Sequence, residues 1–559
     1  MTTTMFFNGV IYTMNPDQPR AQAIAVRDGR VLAVGSEGKV HAATGGRAEG
    51  INLRGRVVIP ALTDAHVHLV WHALGRREVR LEDVDSFDAA LQRIKNGAER
   101  MPKDGWILGG GWDHTRWGGR WPTAADLDEL FPDQPVLLVR KDGHSAWVNS
   151  RALAIAGVDN SVEDPPGGSI RREQGQPTGL LFENAIDLVR RYVPDADEEY
   201  RLDAIRDAIA EAHSYGMVGM HIPPGLRPDD ASMTLADVQK LRARDQLTLR
   251  CLVHLGLDRL EEATLLGLRS GLGDRWVRIG GVKMFADGSL GSETAEMLAP
   301  YEGSQHRGTA TMMTDDLNDA VQKCISNGLA VTIHAIGDGA NRRVLNAIEA
   351  AITHARVHNT DAVEVNSAEP ATTDAALIDA DTPARLMLPN RIEHAQIVHP
   401  RDMARFAQLG IIASVQPVHA TSDMDMAEQL WGKRCEMAYA WHSLKNAGAT
   451  LAFGSDAPVE SLNPWWGIHA AVTRQRRDGT PDDGWRPEQC LSVDEAIRGF
   501  TIGAAMAAGS ASEQGTLQPQ ALADMAVLSA DPFKVEPSEL HAIRSEMTIL
   551  EGEIVWEDH

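Results

Sequence analysis

Eight apolar, strand-like runs spaced along the chain constrain it more than any other feature. They are VVIPAL (57–62), MVGMHI (217–222), LTLRCLVHL (247–255), VRIGGVKMFAD (277–287), LAVTIHAIG (329–337), NRIEHAQIV (390–398), IIASVQPV (411–418) and TLAFGSD (450–456). Short apolar runs without polar alternation suit parallel strands that are covered on both faces. Most of the segments between them have helical periodicity. YRLDAIRDAIAEAHSYG repeats apolar residues every three or four positions and stops at Gly216, and LNDAVQKCISNG and RDMARFAQLG behave alike. Eight strand–helix alternations predict an α/β protein built on a parallel (β/α)8 TIM barrel spanning 57–511.

The chain is 559 residues long, too long for one simple core. Its ends carry the same texture. Short β-type runs fill residues 5–60, with Asn8-Gly9 and Asp28-Gly29 as hairpin turns. DMAVLSADPF and EMTILEGEIVWE, with a turn at Glu551-Gly552, repeat the pattern near the C-terminus. The expectation is one small sheet domain made from 1–56 and 512–559; the alternative is two unrelated hairpins. Residues 72–205 are rich in Trp, Gly and charge and read as an α/β insertion after the first barrel strand, suited to covering a substrate. Most of their tryptophans are expected to be core anchors. Residues 355–386 are polar and acidic without a period and read as an exposed insertion.

Composition narrows the function. Hydrophobic content of 43% and charged content of 24% fit a globular protein, and a net charge of −24 repels phosphate backbones, so nucleic-acid binding is not expected. No run of about 18 apolar residues is present to cross a membrane. The first residues lack a basic stretch followed by an apolar one, so no signal peptide is expected. Cys251, Cys324, Cys435 and Cys490 are widely spaced and form no motif. They read as free thiols of a cytoplasmic protein.

The polar residues at the strand ends point to chemistry. His66 and His68 follow the first strand, and alternate residues of a strand share a face. Later runs end in His334, His394 and Asp456, and Lys283 lies within an apolar strand. The C-terminal ends of barrel strands converge on one rim. A lone histidine in such a strand is more often a satisfied core residue, but six candidates on one rim point to a divalent-metal site. An ammonium there would be repelled by two cations, whereas a desolvated lysine is a reactive amine that can take up carbon dioxide and bridge two metals as a carbamate. The alternative is a plain Lys283 paired with Asp287 or Asp456 and a single metal.

The ordered segments DAHVHL, VKMFADGSLGS, IHAIGD, RIEHAQ and FGSDAPV resemble the amidohydrolase superfamily, and GGGWD, DGHSAWVNS and ADGSLGS resemble its family-3, YtcJ-like branch. The resemblance covers nearly the whole chain, 355–386 excepted. It implies a β-sandwich domain beside the barrel. It implies one metal on His66, His68 and Asp456, a second on His334 and His394, and a carboxylated Lys283 between them, with zinc the usual ion. Water on such a metal is acidified towards a pKa of ~7. Asp456 would take its proton and pass it to a leaving amine. The resemblance also places His144 near the pocket as an oxyanion donor, against the alternative of a turn residue. Trp112, Asp113, Glu183, Asp287 and Gln416 are further candidates for contacting substrate or orienting ligands; Glu393 and Asp338 stand beside ligands in sequence, and their direction is open. The expected activity is hydrolysis of a C–N bond in a non-peptide amide, formamide, carbamate or cyclic amide. Ester or lactone hydrolysis and an inactive scaffold are the alternatives, and the six filled positions favour an enzyme. The expected partner is a small-molecule substrate and the expected assembly a homodimer.

Overall fold

The computed structural model describes residues 3–82, 84–99, 101, 105–225, 230–357 and 388–558, so the polar segment expected at 355–386 lies almost wholly outside the described residues. Eight parallel strands form the barrel: β1 (Leu62–Asp64), β2 (Met217–Ile222), β3 (Arg250–Gly256), β4 (Val277–Phe285), β5 (Val331–Ala335), β6 (Arg391–His394), β7 (Ile412–Val415) and β8 (Thr450–Phe453), paired in sequence order. Every residue of β2, β3, β5, β6 and β7 is buried, as strands covered on both faces require.

No ladder joins β8 to β1. The gap is crossed just beyond the strand ends, where Ala65 N–H donates to Phe453 O (2.9 Å), Asp456 N–H to His66 O (2.7 Å) and His68 N–H to Ala457 O (2.9 Å).

The run at 57–62 is not one strand. Val57–Pro60 pairs with Val10–Ile11 and Met525–Leu528 in another sheet, and the barrel starts at Leu62. Ala61 N–H donates to Asp524 O and Leu62 N–H to Gly216 O, each at 2.9 Å, so the chain changes sheets across one residue. Both sheets bury it, which is why the apolar pattern shows no break. His66 and His68 consequently lie past the strand, in the loop that leads into the helix Leu69–Gly75, and not on a strand face.

The two chain ends share a two-sheet unit. One sheet orders Arg30–Gly35, Ala23–Arg27, Thr3–Phe7 and Glu49–Asn52. The other orders Glu553–Glu557, Ser545–Leu550, Met525–Leu528, Val57–Pro60, Val10–Tyr12 and Arg20–Ala21. Phe6, Ile24 and Val31 of the first meet Val58, Met525 and Ile549 of the second in one core. The other face of the second sheet, with Val57, Ile59 and Leu528, joins the barrel core. Alternate residues of 57–59 thus serve two cores. Arg250 at the start of β3 adds a bidentate bond to Asp524 (2.8 and 3.0 Å).

After β1 the chain builds a second six-stranded sheet, ordered Gly168–Glu173, Gln176–Glu183, Ser145–Val148, Val136–Arg140, Ile107–Trp112 and Val79–Arg80. Trp112, Trp117 and Trp147 pack with Phe87 in its core. The helix Glu198–Ser214 already packs on β2 and on Leu69–Gly75, so the insertion gives way to barrel before 205, the boundary expected from sequence. The four cysteines are free, and no helix among the described residues is long and apolar enough to cross a membrane.

Candidate metal centre

The β8-to-β1 closure makes one wall of the barrel mouth. Asp64, the last residue of β1, is buried and accepts His66 N–H (2.9 Å) and Ser455 N–H (3.0 Å), which ties the two loops together. Burial pushes its carboxyl up to about 6. The loops pass so closely that a side chain at Gly454 would lie 2.5 Å from His66 N. Asp456 follows in the left-handed region, at φ 59°, which aims its carboxylate back at the histidines.

Asp456 Oδ1 then stands 3.3 Å from His66 Nε2 and 3.2 Å from His68 Nε2. His66 Nε2 and Asp456 Oδ1 are buried and have no hydrogen-bond partner. Two ligand atoms on a tetrahedral zinc, each ~2.1 Å from the ion, are separated by about 3.4 Å. The residues therefore fit a divalent cation, and the cation would satisfy atoms that the protein leaves unpaired.

Below this wall lies a polar core. His66 Nδ1 donates to Glu393 Oε2 at 2.5 Å, which leaves Nε2 as the ligating atom. Arg391 Nε donates to Glu393 Oε1 (2.8 Å), and its guanidinium also reaches Ala65 O, Ser414 Oγ and His221 Nδ1. Burial and the Arg391 charge hold His221 and His254 well below the ordinary histidine range, so both are neutral. Burial opposes a charge on Asp456, but His66, His419 and His68 outweigh it and hold the carboxyl well below its usual range.

Lys283, His334 and His394 make the opposite wall. Register pairs Lys283 with Thr332, Phe285 with His334, and His334 with Glu393. Strand alternation would turn His394 away from the face that Glu393 uses, but His394 sits at φ 73° and returns to the mouth. His334 Nε2 donates to Gly288 O (3.0 Å), and His394 Nδ1 donates to Gln416 Oε1 (2.9 Å). Their other nitrogens stay free, and the ring centres are 4.5 Å apart. Lys283 is buried, with Nζ 4.8 Å from the Phe285 ring, and burial lowers its pKa to about 8. Among the described residues it forms no ion pair with Asp287 or Asp456; those carboxylates meet histidines.

Five of the six expected ligands, His68, Lys283, His334, His394 and Asp456, thus line one cavity of about 1550 Å³ at the barrel mouth, and the buried His66 stands 3.3 Å from Asp456, although the geometry is uneven. Two groups bring three ligand atoms within 4.8 Å of one another: His66, His68 and Asp456, and His394, His419 and Asp456. His334 belongs to neither. His419 was not expected from sequence. It is the third residue of the helix Pro417–Trp431, with Nε2 3.3 Å from Asp456 Oδ2 and Nδ1 3.7 Å from Glu460 Oε1. Burial lowers its pKa, but the two carboxylates outweigh burial and push it up to about 10, so it stands as a cation beside Asp456. The proline opening a helix directly after β7 is the signal that marks this position as facing the mouth.

The insertion contributes a short turn at Arg140–His144. His144 Nδ1 donates to Glu183 Oε2 (2.7 Å), and its ring centre is 5.7 Å from that of His334. Burial lowers the His144 pKa, but Glu183 outweighs it and raises it to about 9, making His144 a cationic donor. Glu183 Oε1 accepts from the Thr294 hydroxyl (2.9 Å). Asp113 lines the cavity while accepting from Arg140 (3.0 Å) and Thr115.

Three of the further candidates make their polar contacts within the protein. Trp112 is fully buried in the insertion core and donates to Leu138 O (2.8 Å). Asp287 spends its carboxylate on the backbone N–H groups of Glu296, Ile336 and Gly337. Gln416 orients His394. Glu393, whose direction the sequence left open, points inward beneath the ligands and partners His66. Asp338 accepts Leu298 N–H (2.8 Å) and holds a loop.

Comparison with known proteins places relatives along nearly the whole chain. Residues 49–556 match the profile of the amidohydrolase family. The putative amidohydrolase YtcJ of Bacillus subtilis (strain 168) is 32% identical over 99% of both chains. The N-substituted formamide deformylase of Arthrobacter pascens is 27% identical over 100% of this chain and 99% of its own. The crystal structure of an uncharacterised metal-dependent hydrolase from Pyrococcus furiosus superposes with a TM-score of 0.71 at 26% identity, over 95% of this chain and 100% of that one.

Proposed function

The chain belongs to the amidohydrolase family, and we propose that it is a metal-dependent hydrolase cleaving the C–N bond of a small non-peptide amide, formamide, carbamate or cyclic amide. The observation that carries the reading is the buried, unpartnered pair His66 Nε2 and Asp456 Oδ1, with His68 Nε2 beside it. Each polar atom buried without a partner costs about 1–3 kcal/mol, a cost that bound metal removes. His66, His68 and Asp456 would hold one ion, zinc by the nature of the donors, and His334 and His394 a second. When bound, such an ion polarises a carbonyl and acidifies water.

The chain's own groups do the rest. Asp456, kept ionised by its histidines, accepts a proton from the attacking water and returns it to the leaving nitrogen. Its Oδ2 is the oxygen turned away from His66 and His68, which face Oδ1, and it can meet water while His419 Nε2 stands 3.3 Å from it. His144 donates to the oxygen that gains charge as the carbonyl is attacked, and Glu183 keeps it in place. Lys283, buried without a carboxylate partner, reacts as the free amine: its nitrogen bonds to the carbon of CO2, one proton leaves, and an anion suited to bridging two cations results. The preference for C–N over C–O bonds draws on the likeness to the formamide deformylase.

Chelator-treated and zinc-reconstituted protein assayed on a panel of formamides, cyclic amides and esters tests the reading. Amine release that requires metal supports it. Zinc-loaded protein that hydrolyses esters alone, or nothing, contradicts it.

A further inference from the structure

An ordered line of charge runs from the insertion to Asp456. Lys141 Nζ, at the end of the strand Val136–Arg140, is 2.7 Å from Glu460 Oε1, in the loop after β8. The same oxygen is 3.7 Å from His419 Nδ1, and His419 Nε2 is 3.3 Å from Asp456 Oδ2. Resting on the function proposed above, we propose that His419, with Glu460 and Lys141 behind it, is a positioning set that fixes the pose of the Asp456 carboxylate and makes that pose depend on docking of the insertion.

The need for such a set follows from the work asked of Asp456. One oxygen faces His66 and His68 and the other must meet water. A carboxylate turns easily about its last bond, so two distinct roles require something to hold the oxygens apart. A donor on Oδ2 does this, and His419 is placed to be that donor. Glu460 faces the other ring nitrogen and keeps the imidazole from turning. Glu460 is itself nearly buried, and a buried carboxylate beside one histidine would draw that histidine towards itself; Lys141 supplies the balancing charge. Two other carboxylates face this line, Asp423, which accepts from the Tyr439 hydroxyl (2.6 Å), and Asp113, which accepts from Arg140 (3.0 Å).

Placing Lys141 on the insertion has a consequence. The same turn carries His144, and Asp142 within it accepts from Arg140 and from the hydroxyls of Ser289 and Ser292 on the loop after β4. Docking this turn therefore sets the oxyanion donor on one side of the cavity and the pose of Asp456 on the other.

The test combines crystal structures with turnover of an N-substituted formamide. In Lys141→Met, the His419 Nε2–Asp456 Oδ2 contact should be lost and kcat should fall roughly tenfold, the lower end for losing a ligand's outer partner, with KM nearly unchanged. Lys141→Arg should restore both. In a His419→Asn background, or His419→Gln if the first does not fold, Lys141→Met should have no further effect. An intact contact in the Lys141→Met crystal, or an equal loss in both backgrounds, overturns the proposal. If the wild-type protein turns over no formamide, it is the C–N reading that fails, and the crystal comparison alone decides the positioning set.

Discussion

The two walls of the barrel mouth solve the same problem differently. Lys283, His334 and His394 come from the neighbouring strands β4, β5 and β6, whereas His66, His68 and Asp456 come from loops past β1 and β8. Neighbouring strands lie about 4.8 Å apart, so regular register brings side chains side by side but not to one point. The strand wall shows this, with the His334 and His394 ring centres 4.5 Å apart and His334 outside both clusters of three ligand atoms found among the described residues. The loop wall escapes the limit because backbone hydrogen bonds cross the closure and Asp456 takes a left-handed conformation, which brings ligand atoms to 3.2 and 3.3 Å. The difference teaches that loops crossing a closure can bring ligand atoms to one point, which side chains on neighbouring strands in regular register do not reach by themselves.

Substitutions can break this contrast in a definite order. Asp456→Asn should do most, because Asn keeps the shape but cannot take a proton at neutral pH. Turnover should fall roughly 10²–10⁴-fold, with a smaller fall in metal content by elemental analysis. Near-normal activity with metal retained would remove Asp456 from the chemistry. Glu393→Gln should come next. It weakens the partner of His66 Nδ1 and deprives buried Arg391 of its counter-charge. Titration with a competing chelator should show zinc affinity lowered by about 10–100-fold, and thermal unfolding should show lower stability as well.

Lys283→Met sharpens the comparison from the other side. It should leave the loop wall loaded and empty the strand wall, so metal content should drop from about two equivalents towards about one. Unchanged content would mean that Lys283 bridges nothing. Gln416→Ala should be mildest, because His394 keeps its place on β6 and loses the acceptor on Nδ1. Metal affinity should fall no more than about tenfold, and only at the second ion.

The strands were legible because buried parallel strands are bare apolar runs, and the rim ligands because they end those runs. The remainder was hidden for physical reasons. At 57–62 the chain passes from one buried sheet to another with no turn between them, so periodicity could not divide it. His419 lies in the first turn of a helix, past the strand end, where only the helix-opening Pro417 hints at its position. Glu393 and His394 both face functional space because a positive φ breaks alternation, and sequence carries no mark of that. Trp112 stands in a Gly-Trp-rich stretch that resembles a cavity cover, yet its indole closes the insertion's own core.

The proposed chemistry requires His66 Nε2, His68 Nε2 and Asp456 Oδ1 to meet at a cation. The most direct measurement is a crystal of protein purified without chelator, with anomalous data collected on both sides of the zinc absorption edge and repeated after a zinc soak. The account predicts a strong anomalous peak among those three atoms, bonded to each at about 2.0–2.2 Å. Direct hydrogen bonds between the histidines and Asp456, with no peak there even after the soak, would contradict it.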